Sequence, residues 1–241
     1  MGLFQPRLSD GDVLDIDGTR VRLKVNARAR RISLRIDAAR GEAVAVAPSA
    51  RRLAEAASFA RSRAGWAAER LAARPQGAAF APDRAVPLRG RPTRLVAVPG
   101  QGAARLIHEP EGAVIVSGGE GEAFARRVQN LMRREALAEL TERTAHHARA
   151  LGLKVPTVAV GDPKSRWGSC TPGRGSIRYS WRLILAPAHV LDYVAAHEVA
   201  HLVHADHSPR FWAVVKQLVG EKLEGRAWLK AHGGSLHAVG R

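Results

Sequence analysis

His197-Glu198-Val199-Ala200-His201, followed by His207, is the stretch from which the fold and chemistry of this chain can be worked out. On a helix, this HExxH pattern places two imidazoles one turn apart on a single face, where they can bind one zinc ion. Glu198 then lies beside the metal as a general base. A catalytic zinc takes three protein ligands and keeps one position for water, so the pattern predicts a zinc-dependent hydrolase centre with a third ligand.

His207 is the favoured third ligand. On a continuous helix it would point about 120° away from His201, because each residue turns the helix by about 100°. We therefore expect the helix to end a few residues before His207, and Ser208 to cap a new helix. His204 is the rival ligand, but it lies about 10 Å along the axis from His197, too far for ligands at about 2.0–2.1 Å from one zinc.

The composition bounds the class of protein. A chain of 241 residues allows one large domain or two small ones with a sizeable core. No run of 18 apolar residues occurs, so we expect no membrane span, and the N-terminus has no apolar run of signal-peptide length. The single cysteine, Cys170, excludes an internal disulfide framework. Together these features predict a cytoplasmic protein.

The net charge of +16 indicates an anionic partner, which could be nucleic acid, a nucleotide or an acidic peptide. The alternative is a solvated basic surface without a partner. Few aromatic residues interrupt the arginines along the sequence, which gives little support to a base-stacking platform. The basic residues crowd one predicted sheet of the first half: Arg20, Arg22, Lys24, Arg28, Arg30, Arg31 and Arg35.

Hydrophobic periodicity predicts an α+β fold. Alternating apolar and polar residues indicate an antiparallel β-meander at residues 13–16, 21–25, 32–36 and 43–47. An apolar stripe predicts a helix over residues 49–74, and further strands are expected at 86–88, 94–98, 104–108 and 113–116. The second half is predicted to contain a long helix over 122–150, strands at 157–160, 165–170 and 177–185, and the HExxH helix from Pro187. Residues 221–241 are predicted to form a short helix and a loose basic tail, with solvated His232 and His237.

These elements suggest two domains. Residues 1–120 would form an antiparallel, β-rich N-terminal domain with one helix. Residues 121–241 would form the catalytic domain, with the HExxH helix packed on a small β-sheet.

Several segments, taken in order and spacing, resemble the YgjP-like metallohydrolase family: Arg166-Trp167-Gly168-Ser169-Cys170, residues 177–183, the HExxH motif, His207-Ser208 and Phe211-Trp212. The arginine-rich strands and Gly65-Trp66 are also similar to that family. The resemblance implies a zincin-like C-terminal domain related to the SprT-like and WLM peptidases. It also implies that His197, His201 and His207 are zinc ligands and that Glu198 is catalytic.

Three functions compete. In a metallopeptidase, Glu198 would take the proton of water, residues 179–185 would form an edge strand that pairs with a peptide, and Tyr179 or Arg178 could stabilise the oxyanion. One YgjP-like branch is associated with nucleoside triphosphate pyrophosphatase activity, in which arginines would clamp phosphates.

The third possibility is a structural zinc site in a nucleic-acid-binding protein. The presence of only one cysteine, Cys170, disfavours it, because structural zinc sites usually take four ligands, often cysteines. Cys170 itself is more often a small buried hydrophobe than a ligand.

Overall fold

A computed structural model describes residues 8–37, 40–72 and 79–240. The chain forms two compact units, Met1–Gln76 and Gly77–Arg241. The architecture is mixed α+β, with three small sheets and six α-helices among the described residues. No helix in that part of the chain is both long enough and apolar enough to cross a membrane.

The first unit is a four-stranded sheet followed by two helices. Its strands are β1 (Val13–Ile16), β2 (Thr19–Val25), β3 (Ser33–Asp37) and β4 (Glu42–Ala47), and a short 3-10 turn leads into α1 (Leu53–Ser62) and α2 (Ala64–Ala72). The helix predicted over 49–74 is thus divided at Arg63, and its last two residues lie outside the described part.

The strand order in this sheet is β1-β2-β4-β3, so the predicted antiparallel meander is wrong. Strands β2 and β4 are parallel neighbours, with Val21 opposite Ala43. Burial explains the arrangement: all six residues of β4 are buried, whereas β3 keeps exposed Ser33 and Arg35. The more apolar strand therefore takes the centre and the more polar one takes the edge.

The second unit opens with a sheet of the same topology. Its strands are β5 (Ala85–Leu88), β6 (Arg91–Ala97), β7 (Arg105–Glu109) and β8 (Gly112–Ser117), in the order β5-β6-β8-β7 with β6 and β8 parallel. In each of these two sheets, the first hairpin turns through two residues of positive φ. They are Asp17 (51°) and Gly18 (77°) in the first sheet, and Arg89 (51°) and Gly90 (76°) in the second. A helix follows each sheet, so the two segments form an internal structural repeat.

The remaining elements surround the HExxH motif. They are α3 (Gly121–Ala150), β9 (Thr157–Gly161), β10 (Gly168–Thr171), β11 (Ser176–Ser180), a 3-10 helix (Trp181–Leu185), α4 (Ala188–Ala200), α5 (Pro209–Val219) and α6 (Glu224–Leu236). The sheet order is β10-β11-β9, which leaves β10 at an edge. The strand predicted to reach residue 185 ends at Ser180, because residues 181–185 coil into the 3-10 helix with every side chain buried.

The second unit begins at Gly77, whereas the sequence predicted a second domain that begins at residue 121. The hydrophobic core of this unit explains the difference. Leu95 of β6, Ile115 of β8 and Phe124 of α3 belong to the same hydrophobic cluster as the residues around α4. The second set of strands therefore packs with the long helix. The hairpin turn before β6 is also anchored there: the N–H groups of Arg89 and Gly90 donate to the carbonyls of Ile184 and Leu185 at 2.7 and 3.1 Å.

The C-terminal segment contains a helix, as predicted, but the residues that follow the helix are packed rather than a loose tail. Helix α6 packs on α4, and Leu236 and Val239 are buried. The guanidinium of the fully buried Arg182 donates to the carbonyl oxygens of both residues and pairs with Asp162 at 2.7 Å. His232 is exposed as predicted, but His237 is half-buried.

Candidate metal centre

The three candidate ligands come from the end of α4 and the turn that follows it. Helix α4 ends at Ala200 with His201 as its C-cap, and the N–H of His204 still donates to the carbonyl of Ala200 at 2.9 Å. The chain then reverses. The hydroxyl of Ser208 accepts the N–H of Phe211 at 3.4 Å and caps α5, as the sequence predicted.

This reversal brings His197, His201 and His207 together. Their candidate ligand atoms all lie within 4.8 Å of one another. The Nε2 atoms of His197 and His207 are 3.3 Å apart. Tetrahedral ligands at about 2.0–2.1 Å from a zinc ion are separated by about 3.4 Å, so this spacing suits two ligands of one metal.

His201 and His204 play different parts at this site. The Nδ1 of His201 lies 3.0 Å from the carbonyl oxygen of His204. A carbonyl only accepts, so Nδ1 carries the proton and Nε2 is left with a free lone pair for a metal. His204 thus contributes its backbone carbonyl here, and its imidazole is not part of the cluster. The buried Nδ1 of His197 has no comparable partner among the described residues.

The electrostatics favour the neutral imidazole at His197 and at His201. Burial lowers the pKa of His197 to about 4, with smaller contributions from His201 and His207. Burial also lowers the pKa of His201. Neutral imidazole is the form that binds metals, so the donor set fits a zinc ion at neutral pH.

Glu198 follows the first histidine and is only 5% exposed. Burial raises the pKa of its carboxyl to about 7, and Arg166 acts in the opposite direction. Gly168 on the edge strand β10 faces this carboxyl. A Cβ at that position would be 2.4 Å from Oε1 of Glu198, so the carboxyl occupies the space that any larger residue at 168 would need.

A cavity of about 300 Å³ opens beside His197 and Glu198. Its other lining residues are Arg166, Trp167, Gly168, Tyr193, Val194, Arg226 and Leu229. Sequence reasoning missed Tyr193, although its position one helical turn before His197 was a usable signal. It also missed Arg226, which comes from α6 and carried no sequence signal; its guanidinium lies 4.6 Å from the ring centre of Trp212.

The residues proposed for the oxyanion lie elsewhere. Tyr179 is fully buried, and its hydroxyl is 2.8 Å from that of Thr144. Arg178 projects from the opposite face of β11, with its guanidinium against Gly161. Strand β11 is central, so β10 is the edge beside the motif. Burial, with a smaller effect of Glu198, raises the pKa of the Cys170 thiol to about 11, so it is neutral at pH 7.

Comparison with known proteins gives a family match that spans the site. The family model described as YgjP-like, metallopeptidase domain, matches residues 30–232. No match is found among curated proteins. Among solved structures, the crystal structure of the metallopeptidase zymogen of Pyrococcus abyssi abylysin is similar, with a TM-score of 0.34 and 22% identity over 38% of this chain and 93% of that one.

Proposed function

Because this chain belongs to the YgjP-like metallopeptidase-domain family, we propose that it is a zinc-dependent metallopeptidase with Glu198 as its general base. One observation carries the proposal: three imidazoles converge within 4.8 Å next to a buried carboxyl whose pKa is raised to about 7. A carboxyl of that pKa can both accept and return a proton at neutral pH.

His197, His201 and His207 would hold the metal. Bound there, zinc would act as a Lewis acid towards the scissile carbonyl and make water more acidic. The hydrogen bond from His201 to the carbonyl of His204 orients its ring.

Glu198 would move the protons. Its carboxylate takes a proton from the attacking water and then passes it to the leaving amine as the peptide bond breaks. Gly168 leaves room for this carboxyl beside β10, because the carboxyl occupies the space that a Cβ at position 168 would take. The base can therefore lie close against the strand, in the position from which we propose that it transfers protons.

Strand β10, rather than β11, would bind the substrate backbone. It is an edge strand and its first residue touches Glu198, so an extended peptide added to it would run past the motif. Tyr193 replaces Tyr179 as the candidate donor to the developing oxyanion. Burial raises the pKa of Tyr193, so its hydroxyl stays protonated and can donate.

The nucleotide pyrophosphatase alternative also has one observation in its favour. Arg166 and Arg226 line the same cavity as Glu198 and could hold phosphates. The two functions are separated by assaying zinc-loaded protein on a casein-type substrate and on nucleoside triphosphates side by side. We expect peptide hydrolysis, about one zinc per chain, and loss of both in His201→Ala. Triphosphate hydrolysis alone would overturn the peptidase assignment, and undiminished zinc in His201→Ala would overturn the metal site.

A further inference from the structure

The first unit carries a groove that the proposed peptidase chemistry does not use. It has a volume of about 310 Å³ and lies between the start of β3 and the helices α1 and α2. The strand side consists of residues 31–34, and the helix side consists of Phe59, Arg63 and Trp66. Trp66 is 39% exposed, because its neighbours Ala64 and Ala67 are the residues of α2 that face the core.

Aromatic rings and guanidinium groups meet in this groove. The guanidinium of Arg63 lies 5.9 Å from the ring centre of Phe59, and Arg31 lines the opposite side. The sequence disfavoured a stacking platform because few aromatics interrupt the arginines. In the structure the aromatic side chains come from α1 and α2, which pack against the edge strand β3 and place Phe59 and Trp66 beside the arginines.

The arginines of the groove are not paired with acidic side chains of the described residues. Neither Arg31 nor Arg63 forms an ion pair with any described carboxylate; the ion pairs of this unit join Arg22 and Arg40 to Glu42, and Arg52 to Glu55. Further exposed arginines precede and follow the groove along the chain, namely Arg28, Arg30 and Arg35. The result is a local concentration of positive charge around exposed aromatic faces.

We propose that this groove binds single-stranded nucleic acid, with Trp66 stacking on a base and Arg31 and Arg63 contacting phosphates. Single strands present both unstacked bases and phosphates, which are the two chemistries that aromatic and guanidinium groups recognise together. In a duplex the base faces are already stacked, so the ring of Trp66 would gain no partner. An acidic peptide would use the arginines but would leave the exposed indole without a role.

The test measures binding of the full chain to fluorescently labelled poly-U and poly-dT strands of about 16 nucleotides and to a duplex, by anisotropy. We expect binding to single strands, weaker binding to the duplex, and steep loss of affinity between about 50 mM and 200 mM salt. The RNA and DNA arms show which sugar is preferred. Trp66→Ala should weaken single-strand binding about 5- to 150-fold, the range for one stacked base.

Arg61 provides a matched control, because it lies two residues before Arg63 in the last turn of α1, is exposed and does not line the groove. Arg63→Ala should weaken binding and lower the salt slope by about one, whereas Arg61→Ala should have a much smaller effect. Equal losses in the two arginine variants, unchanged affinity in Trp66→Ala, or binding to the duplex as tight as to the single strands would each overturn the proposal. Thermal unfolding of each variant confirms that the fold is retained, and hydrolytic activity should be unchanged.

Discussion

Replacing Gly168 by alanine tests whether the position of Glu198 controls turnover. The added methyl group would lie 2.4 Å from Oε1 and 2.7 Å from Cδ of Glu198. Carbon and oxygen atoms normally approach no closer than about 3.3 Å. The carboxyl must therefore move by roughly 1 Å or β10 must shift outward, while the histidines and the core are not directly affected.

The expected loss follows from this displacement. A misplacement of about 1 Å in a catalytic constellation can cost about 10²-fold in rate, and a complete loss of general base catalysis costs about 10²–10⁴-fold. We therefore expect kcat of Gly168→Ala to fall by about 10²-fold. KM should change little, because Glu198 is proposed to act in the chemical step. Overpacking should lower the free energy of unfolding by about 1–3 kcal/mol.

The assay compares kcat, zinc content and thermal unfolding of wild type, Gly168→Ala and the control Gly161→Ala. Gly161 lies in β9, where the nearest atom to an added Cβ is the flexible end of Arg178 at 3.4 Å, an ordinary contact. The control should therefore retain activity and zinc. If Gly168→Ala turns over as fast as Gly161→Ala, the contact with Glu198 does not position a catalytic base and the reasoning is refuted.

Three further predictions concern single side chains. Glu198→Gln should keep its zinc and fold but lose hydrolysis by about 10²–10⁴-fold, measured as kcat beside metal analysis; unchanged turnover would contradict the role of a base. His207→Ala should lose zinc at a lower chelator concentration than His204→Ala, since only the former imidazole joins the cluster; the reverse order would remove His207 as a ligand. The hydrogen bond from Arg22 lowers the pKa of Glu42, so Glu42→Gln should unfold at a lower temperature than wild type at pH 7. This difference in unfolding temperature should shrink as the pH falls below about 4, because the wild-type carboxyl then becomes protonated. A difference that persists at low pH would show that charge is not its cause.

The features that the sequence predicted correctly depend on local geometry. Two histidines four residues apart share a helical face whatever the helix packs against, and Ser208 caps α5 through a hydrogen bond to a residue three positions away. The long helix follows from its own periodicity for the same reason. The prediction that His207 lies near the other two histidines required one further inference, namely that the helix ends before His207. That inference also depends only on local geometry, the angle by which each residue turns a helix.

The features that were missed depend on contacts between distant parts of the chain. The parallel pairing of β2 with β4 is set by which strand buries more apolar surface in the assembled sheet, and alternation along each strand carries no such information. Tyr179 and Tyr193 illustrate the same limit, because the first was predicted as an oxyanion donor but is buried in the core, while the second, which no sequence prediction named, lines the cavity.

The sequence by itself therefore predicted the candidate residues of the site, namely which side chains are proposed to bind a metal and which to move a proton, and it determined where the helix that holds them must end. The tertiary structure alone decided what surrounds them. Arg226 reaches the cavity from α6, Gly168 meets Glu198 across the β10 edge, and Trp66 meets Arg31 across a groove. Side chains so far apart along the chain are brought together by burial of the core, which depends on the whole chain rather than on any local pattern.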